Sequence, residues 1–303
     1  MAPPSSADAA GDASLALLYS QPFRISRPGR QTLPFVFASP HSGRVYPTSL
    51  TEKSRLSALT LRRSEDAFVD ELFAGATALG APLIAASFPR AYCDVNRAPA
   101  ELDPAMFSGP LQMAVDAPTP RVQAGLGAIP RIVRDGAEIY RSKLAPEEAR
   151  SRIEFLHKPY HLALSLLIEE TMARFGTAIV IDCHSMPSAL SVPDIVLGDR
   201  YGASAAPALT AWAENAFTGA GFSIARNSPY AGGYTTSRYG KGDSNCHALQ
   251  IEINRSLYLE EESLVKRAAF GAIQKRLTDA MTKLTSLPLS ILGRRGGLPL
   301  VAE

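Results

Sequence analysis

Residues 177–188, Thr-Ala-Ile-Val-Ile-Asp-Cys-His-Ser-Met-Pro-Ser, stay apolar or β-branched for the length of a strand and then break at Asp182-Cys183-His184-Ser185. A short apolar run with no polar alternation reads as a strand buried on both faces, which requires helices packed on either side of its sheet. Turn residues should close such a strand, yet here an acid, a thiol and an imidazole do so. Two other strands carry polar groups in a similar way. The run 33–40 leads into Pro40-His41-Ser42-Gly43, and the alternating segment 246–254 holds Glu252 between Ile251 and Ile253.

The rest of the chain supplies the helices. The segment 64–80 reads as a helix capped by Ser64, faced by Phe68, Leu72, Phe73 and Leu79, and ended by Gly80. A strand follows over 81–88. Residues 96–145 are rich in Pro and Gly with little periodicity, and read as an elaboration over the active-site edge. A helical pattern begins at Pro146 and runs to about residue 175, with Pro159 marking a kink or a break. After the strand at 177 come a loop over 185–203, a helix over 204–218, a strand over 222–226 and a Gly-rich stretch over 227–240. The alternating strand 246–254 and an amphipathic helix over 259–284 complete the pattern. Strands alternating with helices of this length predict an α/β fold, three-layer α/β/α, with a mixed, largely parallel central sheet. The expected organisation is a disordered leader over 1–15 and a single domain over 16–303.

Composition narrows the function classes. A net charge of +2 over 303 residues argues against nucleic acid or an anionic membrane as partner. No apolar run approaches the roughly 18 to 20 residues that span a bilayer. The first residues lack the basic region of a signal peptide, so the expected location is cytoplasmic. Three cysteines, Cys93, Cys183 and Cys246, are an odd number and read as reduced, structural thiols. The sequence gives no indication of oligomeric state.

In open α/β sheets ligands bind outside the carboxyl ends of the strands. Strand ends there carry His41 and His184, the strand 246–254 carries Glu252, and the helix opening at Ser64 adds Glu65 and Asp66. Two histidines and a carboxylate with one open position make a catalytic zinc set, and a second carboxylate nearby can serve as general base. Each residue alone has a duller explanation, a loop histidine or a helix-dipole acid. Glu252 resists one, because a carboxylate flanked by isoleucines needs a partner. Arg90, Asn96 and Arg97 follow the strand 81–88 and offer a planar fork for a substrate carboxylate. Gly232, Gly233, Tyr234 and Arg238 suit a substrate-covering loop, and His247 is a candidate pocket residue. His157 and His161 share a helix face but lack the acid of a zinc helix, so a packing or hydrogen-bonding role near the site is expected.

The motifs SPHSGRVYP (39–47), DAFVDELF (66–73), DVNR (94–97), PYHLAL (159–164), DCHSMPS (182–188), PDIVLGDRYGAS (193–204), YAGGYTTSRYG (230–240) and HALQIEINRSLYLEE (247–261) occur in one order along the chain. In them the chain resembles the N-formylglutamate amidohydrolase (N-formylglutamate deformylase) family, related in fold to zinc carboxypeptidases. The resemblance implies His41, Asp66 and His184 as ligands of one Zn2+, and Glu252 and Arg97 as catalytic residues. It implies Asn96 and Arg97 as the grip on a substrate carboxylate. Zinc carboxypeptidases take a histidine and a glutamate from one H-x-x-E motif; here position 44 is Arg, so Asp66 is the expected carboxylate. Members dedicated to histidine breakdown tend to carry Trp-His after the ligand aspartate and basic residues before the Gly-Gly pair. This chain has Ala67-Phe68 and Ser228-Pro229-Tyr230 instead.

The implied activity is hydrolysis of an N-formyl or short N-acyl amino acid, with N-formylglutamate the leading substrate. Alternatives are a carboxypeptidase-like or cell-wall amidase and a non-catalytic binding protein on the same scaffold. Metal content separates the last from the enzymes.

Overall fold

The computed structural model describes residues 12–133, 136–188, 193–241 and 244–292. Its frame is a sheet of seven strands: β1 (Phe23–Ser26), β2 (Phe35–Ser39), β3 (Leu83–Ala86), β4 (Ala178–Met186), β5 (Ile195–Gly198), β6 (Ile224–Arg226) and β7 (Cys246–Asn254). The spatial order is β1-β3-β2-β4-β7-β5-β6. Strands β3, β2, β4 and β7 run parallel, β1 pairs antiparallel with β3, and β5, which carries β6 beside it, pairs antiparallel with β7.

Why these strands lack a polar face is visible in where their side chains go. Val36, Ala38, Val180 and Ala248 join one buried cluster, while Phe35, Phe37, Ile179, Ile181, Leu249 and Ile251 join another. Alternate residues of one strand thus feed opposite sides of the sheet. The first cluster is covered by helix Lys158–Phe175 through Tyr160, Leu164 and Leu167. The second is covered by helix Pro207–Gly219 through Leu209 and Phe217, and by helix Phe270–Thr285 through Leu277 and Met281. This is the expected three-layer α/β/α architecture. Residues of the 96–145 region, among them Met106, Ile129 and Tyr140, pack into the first cluster with the strands.

Several local expectations are corrected. The leader lies outside the described residues only up to residue 11; from Asp12, whose carboxylate accepts from Leu15 N–H, a helix Ala13–Ser20 buries Leu15 and Leu18. The helix expected over 64–80 starts only at Val69, because Phe68 takes a left-handed backbone, φ 64°, and it is broken at Phe73–Ala74 into Val69–Leu72 and Gly75–Leu79. That break leaves Asp66 outside any helix, its N–H bonded to His41 O at 3.0 Å. The region read as a loop over 185–203 contains β5, and the Gly-rich stretch contains helix Tyr234–Tyr239. The final helix starts at Phe270, since Leu259–Glu260 and Val265–Lys266 pair as a two-stranded hairpin turned by Leu264 at φ 54°. Amphipathic spacing at Leu259 and Leu264 mimicked another helical turn there. Around Pro159 the chain does not break: a π-helical turn, Ile153–His157, joins Pro146–Arg152 to Lys158–Phe175. No described helix is long and apolar enough to cross a membrane.

Candidate active site

The sheet delivers its chemistry at the carboxyl ends of β2, β4 and β7. His41 follows β2 within two residues, and His184 lies within β4. In the parallel ladder between β4 and β7, His184 stands opposite Glu252. Asp66 arrives from the loop before the broken helix. Nδ1 of His184 lies 2.9 Å and Nδ1 of His41 3.3 Å from the same Asp66 oxygen, Oδ2. The three residues are almost fully buried, and one ligand atom from each falls within 4.8 Å of the others.

What lies behind the imidazoles decides which nitrogen faces inward. Nε2 of His41 donates to Asp94 Oδ1 at 2.8 Å, and Nε2 of His184 donates to Asp182 Oδ2 at 3.0 Å. With each Nε2 bonded to a carboxylate, each Nδ1 faces Asp66, the carboxylate–histidine pattern that supports metal ligands. Nδ1 of His41 is buried with no hydrogen-bond partner. The other Asp66 oxygen is taken by Arg255 Nη2 at 3.0 Å, which leaves Oδ2 for the centre. Burial opposes ionisation of Asp66, but the adjacent His184 and His41 imidazoles hold its pKa well below the usual carboxylate range. Burial likewise opposes charge on His184, but Asp182 and Asp66 outweigh it and push its pKa well above the ordinary imidazole value. A group of two imidazole nitrogens and an anionic oxygen, backed by two further carboxylates, suits a divalent cation in place of that proton.

A cavity of about 460 Å³ opens over this group. Glu252 lines it, and burial pushes its pKa up to about 7, with Asp66 adding to the effect and His184, Arg90 and Arg255 opposing it. Gln250 Nε2 donates to Glu252 Oε1 at 2.8 Å and fixes its direction. Arg90, Asn96, Arg97, Gly232 and Gly233 line the same cavity, as the sequence suggests. Arg90 is bound to Asp94 at 2.9 Å. Arg97 donates to two backbone carbonyls, Leu126 O at 3.2 Å and Asn96 O at 2.9 Å. The Asn96 amide is already engaged: its oxygen accepts from Thr235 N–H at 2.8 Å and its nitrogen donates to Asp182 Oδ2 at 3.3 Å. Both ends of the side chain are thus hydrogen-bonded within the protein.

Other expected contacts fall elsewhere. Tyr234 is not among the residues lining the cavity; it packs on the His161 ring at 5.1 Å. Arg238 is exposed and donates to the Tyr234 hydroxyl at 3.0 Å. His247 lies near the opposite end of β7 from Glu252, beside a different pocket. The five-residue spacing that suggested proximity becomes, along an extended strand, a separation of roughly 16 Å. His157 and His161 have the expected structural role: their Nε2 atoms donate to Arg97 O at 2.9 Å and Val95 O at 2.7 Å, pinning the segment that carries Asn96 and Arg97.

The sequence reading missed Arg255 as Asp66's partner, and Asp94 and Asp182 as the histidines' partners. An acid two residues before His184 on the same strand was the available signal, since residues i and i+2 share a face. Gly233 is tied to Asn96 by space. A β-carbon there would lie 2.4 Å from the Asn96 amide nitrogen. Gly233→Ala should therefore lower kcat/KM by about ten- to a hundredfold by shifting the amide behind His184, as steady-state kinetics would register.

The model of the N-formylglutamate amidohydrolase family matches residues 33–259. An N-formylglutamate deformylase of Pseudomonas aeruginosa is 32% identical over 248 residues, covering 77% of this chain and 85% of that protein. One from Pseudomonas putida is 29% identical, covering 76% and 83%. The crystal structure of an N-formylglutamate amidohydrolase from Ralstonia eutropha JMP134 superposes with a TM-score of 0.81 at 35% identity, over 87% of this chain and 96% of that one. A gene product of Agrobacterium tumefaciens, 19% identical with a TM-score of 0.62, shares the fold. With the family model covering most of its length, the chain belongs to the N-formylglutamate amidohydrolase family.

Proposed function

We propose that the protein hydrolyses N-formylglutamate to glutamate and formate at a centre where His41, Asp66 and His184 would hold Zn2+. The observation that carries this reading is the convergence of two imidazole Nδ1 atoms on Asp66 Oδ2, within a cavity that also holds Glu252. Deformylase relatives at about this level of identity support the substrate. A cavity of about 460 Å³ suits a small acyl amino acid.

Zinc in such a site supplies Lewis acidity, polarising an amide carbonyl and bringing the pKa of water toward 7. The chain's own groups supply the rest. Glu252 accepts a proton from water as the oxygen bonds to the formyl carbon, then delivers one to the nitrogen as the C–N bond breaks. Its raised pKa suits both halves of that shuttle. Arg90, bound to Asp94 beside the centre, is placed to steady negative charge that develops on the carbonyl oxygen. Arg97 holds the substrate α-carboxylate; burial pulls its pKa below the usual arginine value, and Asp94 partly restores it.

Zinc-loaded protein assayed on a panel of N-formyl and N-acetyl amino acids, scored by amine release, tests the reading. Formylglutamate should stand above the rest; no release from any formyl amino acid refutes it. Asp94→Asn and Asp182→Asn should each weaken zinc by about 10–100-fold, measured by competition with a chromophoric chelator.

A further inference from the structure

The geometry points to Arg121 as the residue that selects a second, side-chain carboxylate on the substrate. This rests on the proposed amidohydrolase reading and deepens it. Arg121 is the second residue of the short helix Pro120–Gln123 and lines the cavity. Two of the cavity's other arginines are neutralised by protein carboxylates: Arg90 by Asp94 at 2.9 Å and Arg255 by Asp66 at 3.0 Å. Arg97 and Arg121 are not. Neither forms an ion pair within 4.0 Å among the described residues, and Arg121's charge is close enough to oppose protonation of Arg97. Two guanidiniums lining one cavity without a carboxylate partner are matched by an anion that reaches both. A dicarboxylate with a short aliphatic spacer does so, one carboxylate on Arg97 and the other on Arg121.

Leu126 links them, its carbonyl accepting from Arg97 Nε at 3.2 Å and its N–H donating to Arg121 O at 2.8 Å. Leu126 and Ile132, both half-buried, line the cavity on the same stretch of chain, and Pro130 lies with them. They offer apolar surface to methylenes and no hydrogen-bonding side chain to a neutral amide. Arg63, the remaining cavity arginine, enters from the Asp66 side, where its carbonyl accepts from Arg255. It is the internal comparison, being a cavity cation on another segment that likewise forms no ion pair among the described residues.

The test compares kcat/KM of zinc-loaded full-length wild type, Arg121→Gln and Arg63→Gln on N-formyl-L-glutamate and N-formyl-L-glutamine, which differ by one charge at nearly equal shape. Wild type should prefer the glutamate compound. Arg121→Gln should cut that preference about tenfold, through a higher KM for the glutamate compound with the glutamine compound unchanged. Arg63→Gln should keep the wild-type ratio. A preference that survives in Arg121→Gln, or collapses in Arg63→Gln, overturns the assignment. If wild type cleaves neither compound, the proposed activity fails, and titration calorimetry with L-glutamate and L-glutamine still decides the inference. Tighter glutamate binding that disappears in Arg121→Gln upholds it, and equal binding of the two by wild type refutes it.

Discussion

Glu252→Gln should reduce kcat by on the order of 10² to 10⁴ while leaving zinc content near one per chain. The substitution keeps the side chain's shape opposite His184 in the β4–β7 ladder and removes only its ability to take a proton. Glutamate must be ionised to act, so wild-type kcat/KM should rise with pH along an acid limb and then level. Burial sets the pKa of Glu252 at about 7 against an ordinary 4.5, and a cation beside it draws the value down. The midpoint of that limb should therefore fall between these two values, and the glutamine variant should lack it. Stopped-time assays of amine release across pH, paired with metal analysis, would check both points. Activity within a factor of a few of wild type would remove Glu252 from proton transfer.

His184→Ala should be more damaging, because three losses coincide. On the proposed ligand set one of three donor atoms goes, so zinc stoichiometry should fall from about one toward zero in protein dialysed against micromolar metal. Loss of the ion removes several kcal/mol of transition-state stabilisation, on the order of 10³ in rate or more. Asp182 and Asp66, both buried, lose a charged donor, which should cost about 1–3 kcal/mol of stability. Elemental analysis, kinetics and chemical denaturation separate these effects. Full zinc occupancy in the variant would remove His184 from the ligand set.

Much of this centre is legible without coordinates because β-strands carry their chemistry at predictable places. Apolar runs ending in His41 and His184 announce buried strands whose carboxyl ends open on a site, and Glu252 between isoleucines announces a carboxylate with a purpose. Asp66 is legible only in part. Its identity follows from the motif, but the left-handed Phe68 that lifts it off a helix is set by tertiary contacts that no propensity records. Arg255 was hidden because it follows β7, in a 3₁₀ turn capped by Asn254. Distance along the chain gave no hint that its guanidinium returns to Asp66. Tyr234, Arg238 and His247 misled for the opposite reason: nearness in sequence to Gly233 or Glu252 suggested nearness to the cavity. A helical turn carries Tyr234 and Arg238 away, and an extended strand carries His247 away.

The opposition of His184 and Glu252 across two parallel strands has a consequence for how such a protein can diversify. Main-chain pairing on the central ladder holds His184 and Glu252 at a constant separation, as rungs hold the rails of a ladder. Arg97, Arg121 and Gly233 all stand outside the strands, on segments that can lengthen, shorten or change composition without disturbing those rungs. Bond-breaking and preference for one acid over another can thus evolve on separate parts of the molecule.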